Sequence, residues 1–142
     1  MDGFDAEVLI YASVPGHPLG RRVRALFPDE APDVSGVTTG VGSVLLLPEL
    51  LTKPSRDGAE GELADLATIL GHLELRAVDD ATARLAVAVG AAYRLRALDA
   101  SHLATAVGAG ADRFVTNNRR DFKRSITEID VTYPDDLADP GP

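Results

Sequence analysis

The sequence predicts an α/β protein in which a mainly parallel sheet is covered by helices on both faces. Two observations carry this. Short apolar runs with β-branched content alternate with amphipathic stretches at helical spacing along almost the whole chain. Each helix-length stretch then separates two strand-length runs, the pattern of parallel strands joined by crossovers. The 142 residues are enough for one domain with a real core, and 45% hydrophobic content with 25% charged is ordinary for a globular chain.

Taken in order, HPLGRRVRALF (17–27) places Leu19, Val23, Leu26 and Phe27 near helical spacing, with Arg21, Arg22 and Arg24 forming a basic flank. VSGVTT (34–39) has the β-branched content of a short strand. Ser43 can cap a helix beginning at Val44, with Pro48 marking either a kink or a later start. PSRDG (54–58) is loop chemistry. A helix over 59–72 follows from Leu63, Leu66, Ala67, Ile69 and Leu70, and LELRAV (73–78) suits a strand. Asp79 and Asp80 cap a helix over 81–95, and another fits 100–107, closed by the glycines of GAGA. Strands are expected at 114–116 and 128–132. The domain is expected to span 1–134 and PDDLADPGP to fray, leaving 135–142 as a loose tail.

Cysteine is absent, which excludes disulfide and thiolate chemistry. No basic leader opens the chain and no apolar run reaches the roughly 18 residues of a membrane span, so the expected location is cytoplasmic. A net charge of −8 argues against nucleic-acid binding through the overall field. It leaves local binding open, because a metal-dependent nuclease gathers carboxylates at one place and can set arginines beside them.

Ligands of parallel sheets bind beyond the carboxyl ends of strands, which directs attention to acids at turns. Asp5 in GFDAEVLIYA, Glu49 in LLLPELLTKP, Asp99 in RALDASHLATA and Asp121 in TNNRRDF each stand beside apolar residues. Charges so placed need compensation, and several together repel; a divalent cation relieves both problems. Carboxylate oxygens suit Mg²⁺ or Mn²⁺. Each acid also has a plainer reading: Asp99 as an N-cap, Glu49 as a solvated helix residue, Asp5 in a frayed terminus, Asp121 paired with an arginine.

FDAEVLIYA, SVLLLPELLTKP, LDASHLATA and DRFVTNNRRDF, in that order and spacing, resemble the PIN-domain ribonucleases, particularly the small VapC-type toxins of bacterial toxin–antitoxin pairs. The similarity runs from Asp5 to about Tyr133. It implies a three-layer α/β/α sandwich with a central, mainly parallel sheet, and an acidic pocket that binds Mg²⁺ or Mn²⁺ for RNA cleavage. It maps three acids onto Asp5, Glu49 and Asp99, with Asp5 ending a very short first strand and EVLIYAS beginning a helix. Periodicity alone would allow that run to be a strand. Members often carry an aspartate directly after the TN pair, where this chain has Asn118. The fourth acid is therefore assigned to Asp121, with Asn118 positioning a water or a metal ligand. The resemblance further implies an RNA substrate such as tRNA or rRNA, a cognate antitoxin able to place an arginine in the pocket, and pairing into a homodimer.

Arg119, Arg120, Lys123 and Arg124 follow these acids and can hold RNA phosphates, with Arg21, Arg22 and Arg24 as a second contact or simply a solvated face. Seven aromatic residues, all Phe or Tyr, do not make an extensive stacking platform. GVGSVL (40–45) begins like a dinucleotide fingerprint, but Leu45 stands in place of the third glycine. His17, His72 and His102 are too scattered for a helical zinc pair, and His102, three residues beyond Asp99, either faces the pocket or packs. Rival readings are a catalytically weakened PIN-like module that binds RNA or protein, for which Asn118 is the argument, and a phosphatase-like hydrolase with an aspartate nucleophile. Leu63, Leu66, Leu70, Val87 and Val89 serve equally a core or a dimer surface.

Overall fold

A computed structural model describes residues 1–36 and 38–141. Its sheet has five strands, β1 (Asp2–Phe4), β2 (Gly40–Ser43), β3 (Leu73–Arg76), β4 (Arg113–Val115) and β5 (Asp130–Thr132), in the spatial order β3-β2-β1-β4-β5. All neighbouring pairs are parallel. The helices are α1 (Ala6–Ser13), α2 (Pro18–Arg24), α3 (Pro32–Ser35), α4 (Leu46–Asp57), α5 (Glu60–Gly71), α6 (Asp80–Tyr93) and α7 (Ala97–Gly108).

The chain first steps outward from β1 to β2 to β3, then crosses back to place β4 on the other side of β1. Because crossovers between parallel strands keep one hand, reversing the direction of travel moves the connecting helices to the opposite face. Helices α1, α2, α4 and α5 accordingly share one apolar core with Phe4, Leu73 and Val115. Helices α6 and α7 share a second with Phe114 and Val131. Phe114 and Val115 are adjacent in β4 yet feed opposite cores, as the two-residue alternation of a strand requires. This is the three-layer α/β/α architecture expected of the sequence.

Several local expectations are corrected. The strand lies at 40–43 rather than 34–39, where Pro32–Ser35 forms a helical turn; Val37 lies outside the described residues. Glycine makes β2 possible: a Cβ on Gly40 would stand 2.3 Å from the Asp2 carbonyl oxygen of the neighbouring strand. The GVG that imitates a nucleotide loop is thus a buried strand. Ser43 accepts the Leu45 N–H at 3.0 Å, and α4 starts at Leu46, two residues later than the cap reading placed it. Pro48 then falls in the first helical turn, where its missing N–H leaves no bond unmade.

The segment 54–58 is helical, not loop. Pro54 is buried inside α4, which continues until Gly58 adopts a left-handed conformation (φ 65°) and returns its N–H to the last turn. Helix α7 begins at Ala97, so Asp99 lies inside the first turn and Arg96 occupies the cap. The chain beyond residue 134 is not uniformly loose: Leu137 is buried in the first core, and the Arg22 guanidinium donates to its carbonyl at 2.8 Å. Among the described residues no helix is long and apolar enough to cross a membrane.

Candidate active site

With β1 in the centre, the direction of winding reverses between β1 and β4, and the crevice beyond their carboxyl ends is where an open α/β sheet accepts a ligand. The Arg113 guanidinium pins the opposite ends of the same strands, donating to both carboxylate oxygens of Asp2 at 2.8 and 3.2 Å. At the crevice the residue following β1 is Asp5 and the residue following β4 is Thr116.

Asp5 caps α1 and is 5% exposed. Its N–H donates to the Val115 carbonyl at 3.0 Å, while its carboxylate accepts from the Ala6 N–H at 2.9 Å and the Thr116 hydroxyl at 2.8 Å. Burial raises its pKa to about 6, against the lowering effect of those two donors and of His102; the nearby Asp99 charge raises it further. A carboxylate so enclosed and so firmly held has little freedom to turn towards water.

Asp99 enters from the first turn of α7. Its pKa is raised, first by burial, then by the charges of Glu49 and Asp121, with His102 and Arg96 opposing. Those influences show that side chains remote in sequence converge. Glu49, from the first turn of α4, meets His102 Nε2 through Oε2 at 2.5 Å. His102 is 2% exposed, and among the described residues its Nδ1 has no partner. The ring proton therefore belongs on Nε2, where Glu49 accepts it.

The heptad TNNRRDF is a hydrogen-bonded turn. Asn118 Oδ1 accepts the Asp121 N–H at 3.2 Å, and its Nδ2 donates to Asp121 Oδ2 at 3.0 Å. The Asn118 N–H donates to the Thr116 hydroxyl at 3.1 Å, and that hydroxyl passes its own proton to Asp5. A continuous chain of bonds thus joins Asp121 to Asp5 through Asn118 and Thr116. An aspartate in place of Asn118 would lose the donor that holds Asp121.

Asp5, Glu49, Asp99 and Asp121 therefore gather at one end of the sheet, together with Asn118. Thr116 and His102 are the residues that sequence reasoning undervalued. The available signal for Thr116 was a hydroxyl directly after a buried apolar run; for His102 it was the helical spacing from Asp99. The basic residues divide. Arg119 and Arg124 share one anchor, each guanidinium 4.5 Å from the Tyr133 ring centre, and pair with Asp135 and Asp136 respectively. Arg22 pairs with Asp139, and Arg24 donates to the carbonyls of Phe27 and Pro28. Arg120 and Lys123 instead line a cleft beside Asp121.

As a donor set, four carboxylates supply hard oxygen ligands of the kind Mg²⁺ and Mn²⁺ take. Asp99, its pKa raised first by burial and then by the charges of Glu49 and Asp121, lies among negative charges that a cation would offset. The chemistry fits, although among the described residues no group of three His, Asp or Glu side chains is drawn together in coordinating geometry. Glu49 is engaged by His102 and would have to exchange that partner.

An open parallel sheet with the buried Asp5 and more exposed acids at its switch point defines the class: an α/β protein with an acidic crevice. A PIN domain family model matches residues 4–125, and the chain belongs to that family. Its fold is similar to that of a toxin–antitoxin complex chain from Klebsiella pneumoniae, with a TM-score of 0.69, 21% identity and coverage of 92% of this chain and 95% of that one. It is similar also to a chain of VapBC2 from Rickettsia felis bound to a DNA fragment from their promoter, with a TM-score of 0.68, 19% identity and coverage of 93% and 97%. Comparison with curated proteins gives no match.

Proposed function

We propose that this protein is a metal-dependent endoribonuclease that hydrolyses RNA phosphodiester bonds in the cytoplasm, and the toxin of a toxin–antitoxin pair. The observation that carries the reading is the hydrogen-bonded chain from Asp121 through Asn118 and Thr116 to the buried Asp5, at the end of the sheet where Glu49 bonds His102, three residues beyond Asp99. PIN family membership supports the nuclease, and likeness to chains from toxin–antitoxin complexes supports the antitoxin partner.

Asp5, Glu49 and Asp99, with Asp121, would hold Mg²⁺ or Mn²⁺. Such an ion supplies a water of lowered pKa and polarises the scissile phosphate. The chain's own contribution is preorganisation. Thr116 and the Ala6 N–H fix the Asp5 carboxylate in one orientation. Asn118 sets Asp121, and His102 holds Glu49 at the mouth of the crevice. Burial of Asp5 keeps bulk water from screening its charge, and Asp99 beside it is half-buried. No side chain needs to form a covalent intermediate.

The test is to titrate Mg²⁺ and Mn²⁺ into purified protein with mixed tRNA and rRNA, alongside Asp5→Ala and Asp99→Ala. Metal-dependent fragments from the wild type, absent from both folded variants, are expected; wild-type cleavage by either variant would sink the assignment. A second reading, a weakened PIN-like module that binds RNA or protein, is favoured by Asn118 at the position where the family often has aspartate and by the lack of a ready coordinating triad among the described residues. Failure of the folded, partner-free wild type to bind metal or cleave would select it. We further propose a homodimer, to be read as a concentration-dependent mass; the exposed Val87 and Leu98 offer apolar surface for it.

A further inference from the structure

We propose that Arg94, Arg120 and Lys123 form a phosphate-binding subsite that leads a single RNA strand to Asp121. The inference rests on the nuclease reading for its choice of ligand, and on three independent observations for its place. The first is a cleft of about 450 Å³ whose lining includes Arg94, Arg120, Lys123, Tyr93 and Asp121. Asp121 belongs at once to this cleft and, through its hydrogen bonds with Asn118 and the Asn118–Thr116–Asp5 bonds that follow, to the acidic crevice. A strand lying in the cleft therefore delivers a phosphodiester to the acids.

The second observation concerns charge. In a chain of net charge −8, Arg22, Arg56, Arg84, Arg113, Arg119 and Arg124 all find carboxylate partners. Arg21, Arg24, Lys53, Arg76, Arg94, Arg96, Arg120 and Lys123 have none among the described residues, and three of these, Arg94, Arg120 and Lys123, line this one cleft. Three cations left unpaired at the rim of one cleft, amid an excess of acids, suit a polyanion arriving from outside.

The third is backbone strain. Arg94 ends α6 in the left-handed conformation (φ 56°, ψ 44°), and among the described residues it is the only one other than glycine with positive φ. A helix C-terminus of this kind ordinarily takes glycine or asparagine. An arginine there lines the cleft at a cost in backbone strain, and a strained residue beside a candidate site points to function. Arg119 and Arg124 pair with the C-terminal segment and do not line this cleft.

The test is binding, measured by fluorescence anisotropy of a short labelled single-stranded RNA of mixed sequence, with divalent cations chelated so that cleavage cannot interfere. Arg94→Gly, Arg120→Ala and Lys123→Ala should each weaken binding several-fold and make the dependence of log affinity on log salt shallower by about 0.7. Arg94→Gly should also raise Tm, because it relieves the left-handed strain, so weaker binding cannot be ascribed to unfolding. Arg56→Ala, at a residue paired with Asp57 at the end of α4, should leave affinity unchanged. Wild-type affinity and salt slope in Arg94→Gly and Arg120→Ala would overturn the subsite even if the protein cleaves RNA. Reduced affinity in the variants of a wild type that never cleaves would sustain the subsite and overturn the nuclease. Binding of poly-glutamate but not RNA through these side chains would also overturn it, assigning the cleft to an acidic protein segment.

Discussion

At the scale of single residues, the buried Asp5 carboxyl should govern how stability responds to pH. In the unfolded chain it titrates near ~4, whereas in the folded protein burial raises its pKa to about 6. Between those values the folded form holds a proton that the unfolded form has released. Stability therefore falls as pH rises through that window and stays low above it. Asp5→Asn removes the charge and should, in chelator, stabilise the protein by about 2 kcal/mol at pH 8, with wild type and variant converging below pH ~4. A stability gain independent of pH would contradict the burial account. Thr116→Val deletes the hydroxyl that both donates to Asp5 and accepts from Asn118. Urea titration should show a loss of about 2 kcal/mol, and metal-dependent cleavage should fall with it.

At the scale of elements, the turn 116–122 behaves as one unit, so a substitution in it acts through its hydrogen bonds. Asn118→Asp replaces the Nδ2 donor to Asp121 with a second carboxylate. Without metal this should cost about 1 kcal/mol, while the Tm increase produced by Mg²⁺ should exceed that of the wild type. An equal or smaller increase would show that this position does not face the ion. The order of elements was largely legible in the sequence, because periodicity is local; α1, α5, β3 and α6 follow from it and from the family resemblance. The misreadings have a common origin. Gly40 looks like a loop residue until the Asp2 carbonyl that crowds it is known, and Pro54 looks like a stop until its burial against the core is known. The gathering of acids was legible as four separate turns. What was missing was the side chains that hold them: Thr116 and His102 matter through partners 111 and 53 residues away, which no local pattern reveals.

At the scale of the whole molecule, the acids constitute one site only if they respond together to a ligand. Mg²⁺ at about a hundred times its Kd should stabilise the folded protein by about 2.7 kcal/mol, read as a rise in Tm. Asp99→Ala should abolish most of that rise. A rise preserved in the variant would place the ion elsewhere, on the generally acidic surface of a chain with net charge −8.

The central position of the first strand also has a consequence for synthesis. β1 leaves the ribosome first, yet one of its two sheet neighbours, β4, starts at Arg113, and Asp5 awaits a hydroxyl 111 residues downstream. Contacts so distant in sequence close late, and a growing chain lengthens by about 5–20 residues per second. The acidic pocket of a nascent chain should consequently be unmade until nearly all of it has been translated, so that, on the proposed nuclease reading, the ribosome making it meets no assembled site. Ribosome-stalled chains ending before Arg113 should be readily digested by protease, and chains extended past Tyr133 and clear of the exit tunnel should resist. Equal resistance in the shorter chains would mean that the half-sheet around β2 and β3 folds without its partner.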